Sequence, residues 1–246
     1  MTARTSLLAF ALPLLMAATA LVQPGEAQSA ELKGVVELFT SQGCSSCPPA
    51  DKELARLADQ DDVLALSYHV DYWNYLGWAD TLSSEANTQR QYGYAKTFRR
   101  NGVYTPQAVI NGQNHVNGGD ASAIGKMLDT HISNGEGLTV EVSAITNGDE
   151  LRISVGEGTG KADIVAVYFD DATTVDIERG ENKGRAITYR HSVRDMETVG
   201  MWNGHKVDLK LPGSVISAHP GRRCAILLQE VGKDGSPGRI LGATRI

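Results

Sequence analysis

Val35-Val36-Glu37-Leu38-Phe39-Thr40-Ser41-Gln42-Gly43-Cys44-Ser45-Ser46-Cys47-Pro48-Pro49 is the stretch on which the reading of this chain turns. Its first six residues are a short β-rich run. The prolines open a segment with apolar residues at Ala50, Leu54, Leu57 and Ala58, the spacing of a helix whose first turn tolerates proline. Val63-Leu64-Ala65-Leu66-Ser67-Tyr68-His69-Val70 comes next, and its near-continuous hydrophobicity suits a strand buried on both faces of a parallel sheet. Strand, helix and strand at this spacing make a right-handed βαβ unit. Cys44 and Cys47 therefore stand at the positive end of a helix, where unpaired N–H groups and the dipole stabilise a thiolate. Two intervening residues let the sulfurs close a small ring, so that one attacks a disulfide and the other resolves the mixed intermediate. Two other readings stand beside this one. The pair is a static disulfide, or with His69 it supplies soft ligands for copper or zinc, although no fourth ligand is evident.

Further along, Thr88 to Arg99 reads as a helix. Gln107–Ile110 and His115-Val116 read as strands joined by the hairpin turn Asn111-Gly112, and Asp120 to Ile132 as a helix capped by Asp120. Asn134-Gly135-Glu136-Gly137 marks a boundary. Beyond it Leu138, Val140, Val142 and Ala144, then Leu151, Ile153 and Val155, alternate with polar residues about the Asn147-Gly148-Asp149 turn. Short apolar runs follow at Ile164–Phe169, Ala186–Tyr189, Lys206–Leu211, Cys224–Gln229 and Ile240–Ile246. The expected architecture is an α/β domain over 33–134 followed by an all-β, sandwich-like domain over 138–246.

The 246 residues carry 23 Lys+Arg against 29 Asp+Glu, a net charge of −6 with no basic run, which argues against a nucleic-acid partner. Three cysteines are too few to staple the chain, so a hydrophobic core must hold it. Arg4, the apolar run Leu7–Val22 and the small residues at Gly25-Glu26-Ala27 read as a signal peptide over 1–27. The expected location is periplasmic or secreted, with no membrane attachment after cleavage and an oxidising surrounding for the thiols.

Parallel strands deliver their carboxyl ends to one edge, so His69, Asp71, Tyr72 and Trp73 are expected near the cysteine pair, with the loop through Trp78 as a roof. His69 either tunes the thiolate and relays a proton or is packed and hydrogen-bonded. Glu37 interrupts the first strand. Facing inward it would be a proton acceptor, but an outward, water-reaching position is the expectation. Cys224 reads as a small buried hydrophobe, and Arg179, Arg185, Arg190, His191 and Arg194 as a solvated basic face.

The order of elements resembles thioredoxin-like proteins, with Tyr104-Thr105-Pro106-Gln107 at the place of their cis-proline. More narrowly, Leu38 through Asp51, His69-Val70-Asp71-Tyr72-Trp73 with Leu76-Gly77-Trp78, and Tyr104-Thr105-Pro106-Gln107 resemble the secreted bacterial family called domain of unknown function 1223. The resemblance implies a thioredoxin-like first domain, with Cys44 as attacking thiol, Cys47 as resolving thiol and Pro106 as cis-proline. Thr105 would then present its backbone to an extended substrate peptide. Tyr72, Trp73 and His69 are the further residues expected on the substrate side. No cofactor is expected beyond the Cys44–Cys47 disulfide, and no metal. The expected partner is a thiol- or disulfide-containing protein or peptide. The chain departs from the better-known oxidoreductases at Ser45-Ser46, at Pro48-Pro49 and at Gly43, where no Trp precedes the first cysteine. The family name carries no activity. The expectation is an exported thiol–disulfide oxidoreductase. The alternative is a redox-inactive or metal-binding module that binds a partner protein.

Overall fold

The computed structural model describes residues 32–246, so the expected signal peptide lies outside the described residues. The first strand, β1 (Gly34–Thr40), leads through the cysteine loop into α1 (Pro48–Ala58) and β2 (Val63–His69). Next come a 3-10 turn at Asn74–Leu76, α2 (Glu85–Thr97), β3 (Gln107–Ile110), β4 (Asn114–Asn117) and α3 (Ala121–Ser133). The second half holds β5 (Val142–Asn147), β6 (Glu150–Val155), β7 (Ala162–Asp176), β8 (Ala186–Trp202), β9 (Val207–Pro212), the one-turn α4 (Ser214–Ser217), β10 (Arg223–Val231) and β11 (Pro237–Arg245). Local chemistry explains the helix starts. Pro48 and Pro49 occupy the first turn of α1, Ser84 accepts the Asn87 N–H at the head of α2, and Asp120 accepts the Ala123 N–H at the head of α3.

The expectation of a thioredoxin-like α/β domain followed by a separate all-β domain is overturned. Strands from both halves form one eight-stranded mixed sheet in the order β11-β10-β7-β8-β2-β1-β3-β4, and only β5, β6 and β9 form a second sheet. The molecule is mostly β. The seam is a parallel contact between β2 and β8 at Ser67 and Ser192. The physical reason lies in β10. Its Cys224–Leu228 run is buried on both faces, so it belongs to the interior of a layered sheet and not to the half-exposed wall of a sandwich. Ala225 and Leu227 join Val35, Phe39, Leu64, Leu66 and Tyr94 in one core, which therefore draws on both halves of the chain. Cys224, Ile226 and Leu228 point the other way, against Leu151, Ile153 and Val155 of the three-stranded sheet. A third core sets α1 and α3 on β1, β2 and β3 through Leu54, Leu57, Ile124, Val36, Leu38 and Ile110.

Two further expectations are corrected. Glu37 does not reach water. It is fully buried, with Arg90 of α2 at 2.7 Å and the Tyr94 hydroxyl as a second donor. Arg90 also reaches Gln229 of β10 at 2.8 Å, so the inward-facing carboxylate anchors α2 to both halves of the sheet. The basic stretch is not a solvated face throughout. His191 is buried, adopts φ 49°, and donates from Nδ1 to the Ala65 carbonyl at 2.8 Å, while Arg190 pairs with Asp59.

Candidate functional site

The cysteine pair lies where β1 hands over to α1. Cys44 and Cys47 are joined in a disulfide, with their Cα atoms 5.4 Å apart. Cys47 is the N-cap of α1, and its carbonyl accepts the N–H groups of Ala50 and Asp51. Pro48 and Pro49 lack N–H groups, so two of the donors that usually open a helix are missing here. The dipole end remains, and the Ser46 hydroxyl stands 3.4 Å from Cys44 Sγ as a replacement donor to a thiolate. Ser45 and Ser46 are exposed, whereas Cys44 is 2% and Cys47 0% exposed.

One helical turn beyond Cys47 sits Asp51, a residue that sequence reasoning passed over. It is buried, and its Oδ1 accepts the Thr40 hydroxyl at 2.6 Å. Its Oδ2 has no partner among the described residues. Burial pushes the Asp51 carboxyl up to about 7, with nearby His69 and the Thr40 bond opposing part of the rise. The signal in the sequence was the i, i+4 spacing from Cys47, which puts both on one face of the helix.

His69 ends β2, in register with Thr40. It is completely buried and packed, with Nδ1 2.8 Å from Asp80 Oδ2. Asp80 also accepts the N–H groups of Gln42 and Leu82. Burial works against the Asp80 charge, yet His69 and these donors hold its carboxyl below the usual carboxylate range. Nδ1 is thus engaged by the Asp80 carboxylate, and Nε2 has no partner among the described residues. Tyr189 of β8 meets the imidazole edge-on at 4.6 Å, and its hydroxyl is likewise buried without a partner among the described residues. Asp51, His69, Asp80 and Tyr189 form one buried polar group behind the disulfide.

The expected substrate-side residues are partly buried. The Thr105–Pro106 bond is cis. Thr105 Oγ1 accepts the Trp73 indole N–H at 2.8 Å, and the Tyr72 hydroxyl donates to Gln91 at 3.1 Å. Trp73 also touches the cysteine loop. A Cβ on Gly43 would stand 3.1 Å from that of Trp73, which explains a glycine immediately before Cys44. Trp73 therefore links the cysteine loop to the Thr105-Pro106 loop. Gly118 continues the connection, since it lies between Ala50 of α1 and Pro106. Trp78 donates to the Gln42 side chain at 2.8 Å and closes the roof. His69, by contrast, stands beneath this surface.

A part of the site comes from far along the chain and left no sequence signal. The turn between β7 and β8 reaches over the cysteine loop. Asn182 is 0% exposed and donates from Nδ2 to the carbonyls of Gln42 at 2.9 Å and Cys44 at 2.8 Å. Glu181 accepts the Ser45 N–H at 3.3 Å. The third cysteine, Cys224, is buried and free, and burial pushes its thiol up to about 12, the state of an inert core residue. Among the described residues, one other acid–histidine cluster, Asp195, Glu197 and His219, brings ligand atoms together. These side chains are engaged with one another and with Arg222, which stands 3.2 Å from His219 Nδ1, while Nε2 faces Glu197 at 3.5 Å.

No curated protein matches the chain significantly. A crystal structure of an Agrobacterium tumefaciens protein, solved as a structural-genomics target, is 51% identical, with a TM-score of 0.82 over 88% of this chain and 94% of the other. HBP35 of Porphyromonas gingivalis shares the fold at 13% identity and a TM-score of 0.60, over 88% of this chain and 75% of that one. The family model described as protein of unknown function (DUF1223) matches residues 35–229, and the chain belongs to that family.

Proposed function

We propose that this protein is an exported thiol–disulfide oxidoreductase that exchanges its Cys44–Cys47 disulfide with cysteines of a protein or peptide. The observation that carries the reading is the disulfide at the head of α1 with a proton-holding carboxyl, Asp51, buried one turn behind it. In the oxidising direction a substrate thiolate attacks Cys44 Sγ, the S–S bond to Cys47 breaks, and Cys47 leaves as a thiolate. Asp51, protonated below about pH 7, supplies the proton that neutralises Cys47. A second substrate thiolate then attacks its partner sulfur in the mixed disulfide. Cys44 departs as a thiolate, held by the dipole end of α1 and Ser46, and the substrate leaves with a new disulfide. Two electrons pass from substrate to enzyme. In the reducing direction every step reverses, and Asp51 takes the proton from Cys47. The chemistry needs no cofactor and no metal.

The test is exchange with an unfolded, cysteine-containing protein. Cys44→Ser is expected to abolish turnover. Cys47→Ser, offered a disulfide-bonded substrate protein, is expected to accumulate a mixed disulfide visible by mass, as the Cys44 thiolate attacks one substrate sulfur and the other leaves as a thiolate. Turnover by the double serine variant at the parent rate would overturn the assignment.

A further inference from the structure

The exchange reading requires a polypeptide to bring a sulfur in line with Cys44, yet the folded chain covers that approach. The covering group is the turn between β7 and β8, which belongs to the opposite half of the sequence. Asn182 spends both of its amide protons on main-chain carbonyls of the cysteine loop, at Gln42 and Cys44. Its own Oδ1 has no partner among the described residues although the residue is 0% exposed. Glu181 takes the Ser45 N–H, and Gly180 packs against Trp78 of the roof. Cys44 is left 2% exposed.

These contacts are of the kind an extended peptide would make. A substrate backbone passing Cys44 offers N–H groups to carbonyls and C=O groups to N–H donors, the same pairing that Asn182 and Glu181 provide. The turn is also built to move separately from its strands. It closes on itself through Gly184 N–H to Ile177 C=O and Lys183 N–H to Gly180 C=O, so it can lift as a unit while the β7–β8 ladder stays paired.

We propose that the β7–β8 turn is an intramolecular gate on the dithiol, seated as a stand-in for substrate, and that a polypeptide reaches Cys44 by displacing Asn182 and Glu181. The proposal rests on the exchange reading for its purpose, but the gate itself is a statement about access. The observed exchange rate is the intrinsic rate multiplied by the fraction of molecules with the gate lifted. Weakening the seat raises that fraction.

The experiment measures how fast tris(2-carboxyethyl)phosphine reduces the Cys44–Cys47 disulfide of the full chain, followed by alkylation and mass. The phosphine gives up two electrons and ends as the oxide with the oxygen of water, so the readout needs no enzymatic activity. Asn182→Ala and Asn182→Asp, the second placing a carboxylate against two carbonyls, are expected to speed reduction about tenfold or more. Glu181→Gln is expected to give a smaller gain. Hydrogen exchange of the parent protein provides a second readout that no folding defect can obscure. The Ser45 amide, whose bond to Glu181 breaks when the turn lifts, is expected to exchange well ahead of those in the β7–β8 ladder. Equal reduction rates in folded variants, or a Ser45 amide protected as long as the strands, would overturn the gate. If the variants reduce faster but neither they nor the parent exchange with a protein thiol, the gate stands and the oxidoreductase reading falls. If turnover is present and the rates are equal, the reverse holds.

Discussion

Asp51 is the residue whose environment most directly connects the fold to the chemistry. Its carboxyl shifts from 3.8 to about 7 because α1 buries it with one oxygen unpartnered among the described residues. Between those pH values the folded chain holds a proton that the unfolded chain has released. Stability therefore falls as pH rises from about 4 to about 7 and then levels off. Asp51→Asn keeps the acceptor for Thr40 and removes the titration. The variant is expected to gain about 2–4 kcal/mol above pH 7 and nothing at pH 4, as urea unfolding at the two ends would show. The same substitution is expected to remove an inflection near pH 7 from the rate at which Cys47 resolves a mixed disulfide. An Asn variant with the parent's pH dependence in both measurements would place the proton elsewhere. At this scale the cysteines were legible, because spacing and helix start are local. Asp51 was available from the same spacing. Glu37 was misplaced because a strand carboxylate faces inward or outward according to a partner, here Arg90, that lies far along the chain.

Elements meet tightly at Gly118, which accepts no side chain. An added Cβ would come within 3.2 Å of the Ala50 Cβ and 3.3 Å of the Pro106 Cβ, with Leu38 closer still. Gly118→Ala is therefore expected to cost about 1–3 kcal/mol and to push the Thr105-Pro106 loop away from α1. Slower exchange with a protein substrate, with a smaller effect on small-molecule reduction, would report the displaced loop. A second element-scale prediction concerns α2. Arg90→Met leaves Glu37 buried without its cation and is expected to destabilise the fold by about 3–5 kcal/mol, measured by denaturant unfolding. The individual strands and helices were readable from periodicity and caps. Their association was not, because Arg90, Gln229 and Glu37 reveal nothing of one another when read along the chain.

The whole molecule departs most from the sequence reading. A boundary at Asn134–Gly137 suggested two independent units, yet β8 completes the sheet beside β2, and Tyr189 and Asn182 complete the site from the second half. Pairing between distant strands has no local signature. His191 adopts a left-handed backbone immediately before Ser192, where β8 meets β2, and the β7–β8 register is irregular; hydrophobic periodicity announces neither. Neither 33–134 nor 138–246 expressed alone is expected to unfold cooperatively, since each exposes the unpaired edge and half of a shared core. Circular dichroism melts of the two fragments test this, and a sharp transition in either would restore the two-domain view. The claim that the disulfide is a working one is tested most directly by equilibrating the full chain in thiol redox buffers and counting Cys44 and Cys47 thiols by mass. The account predicts a reversible two-electron transition in the folded protein at a potential between about −120 and −270 mV. A pair that stays oxidised below about −300 mV until the chain unfolds would be a structural staple and would contradict it.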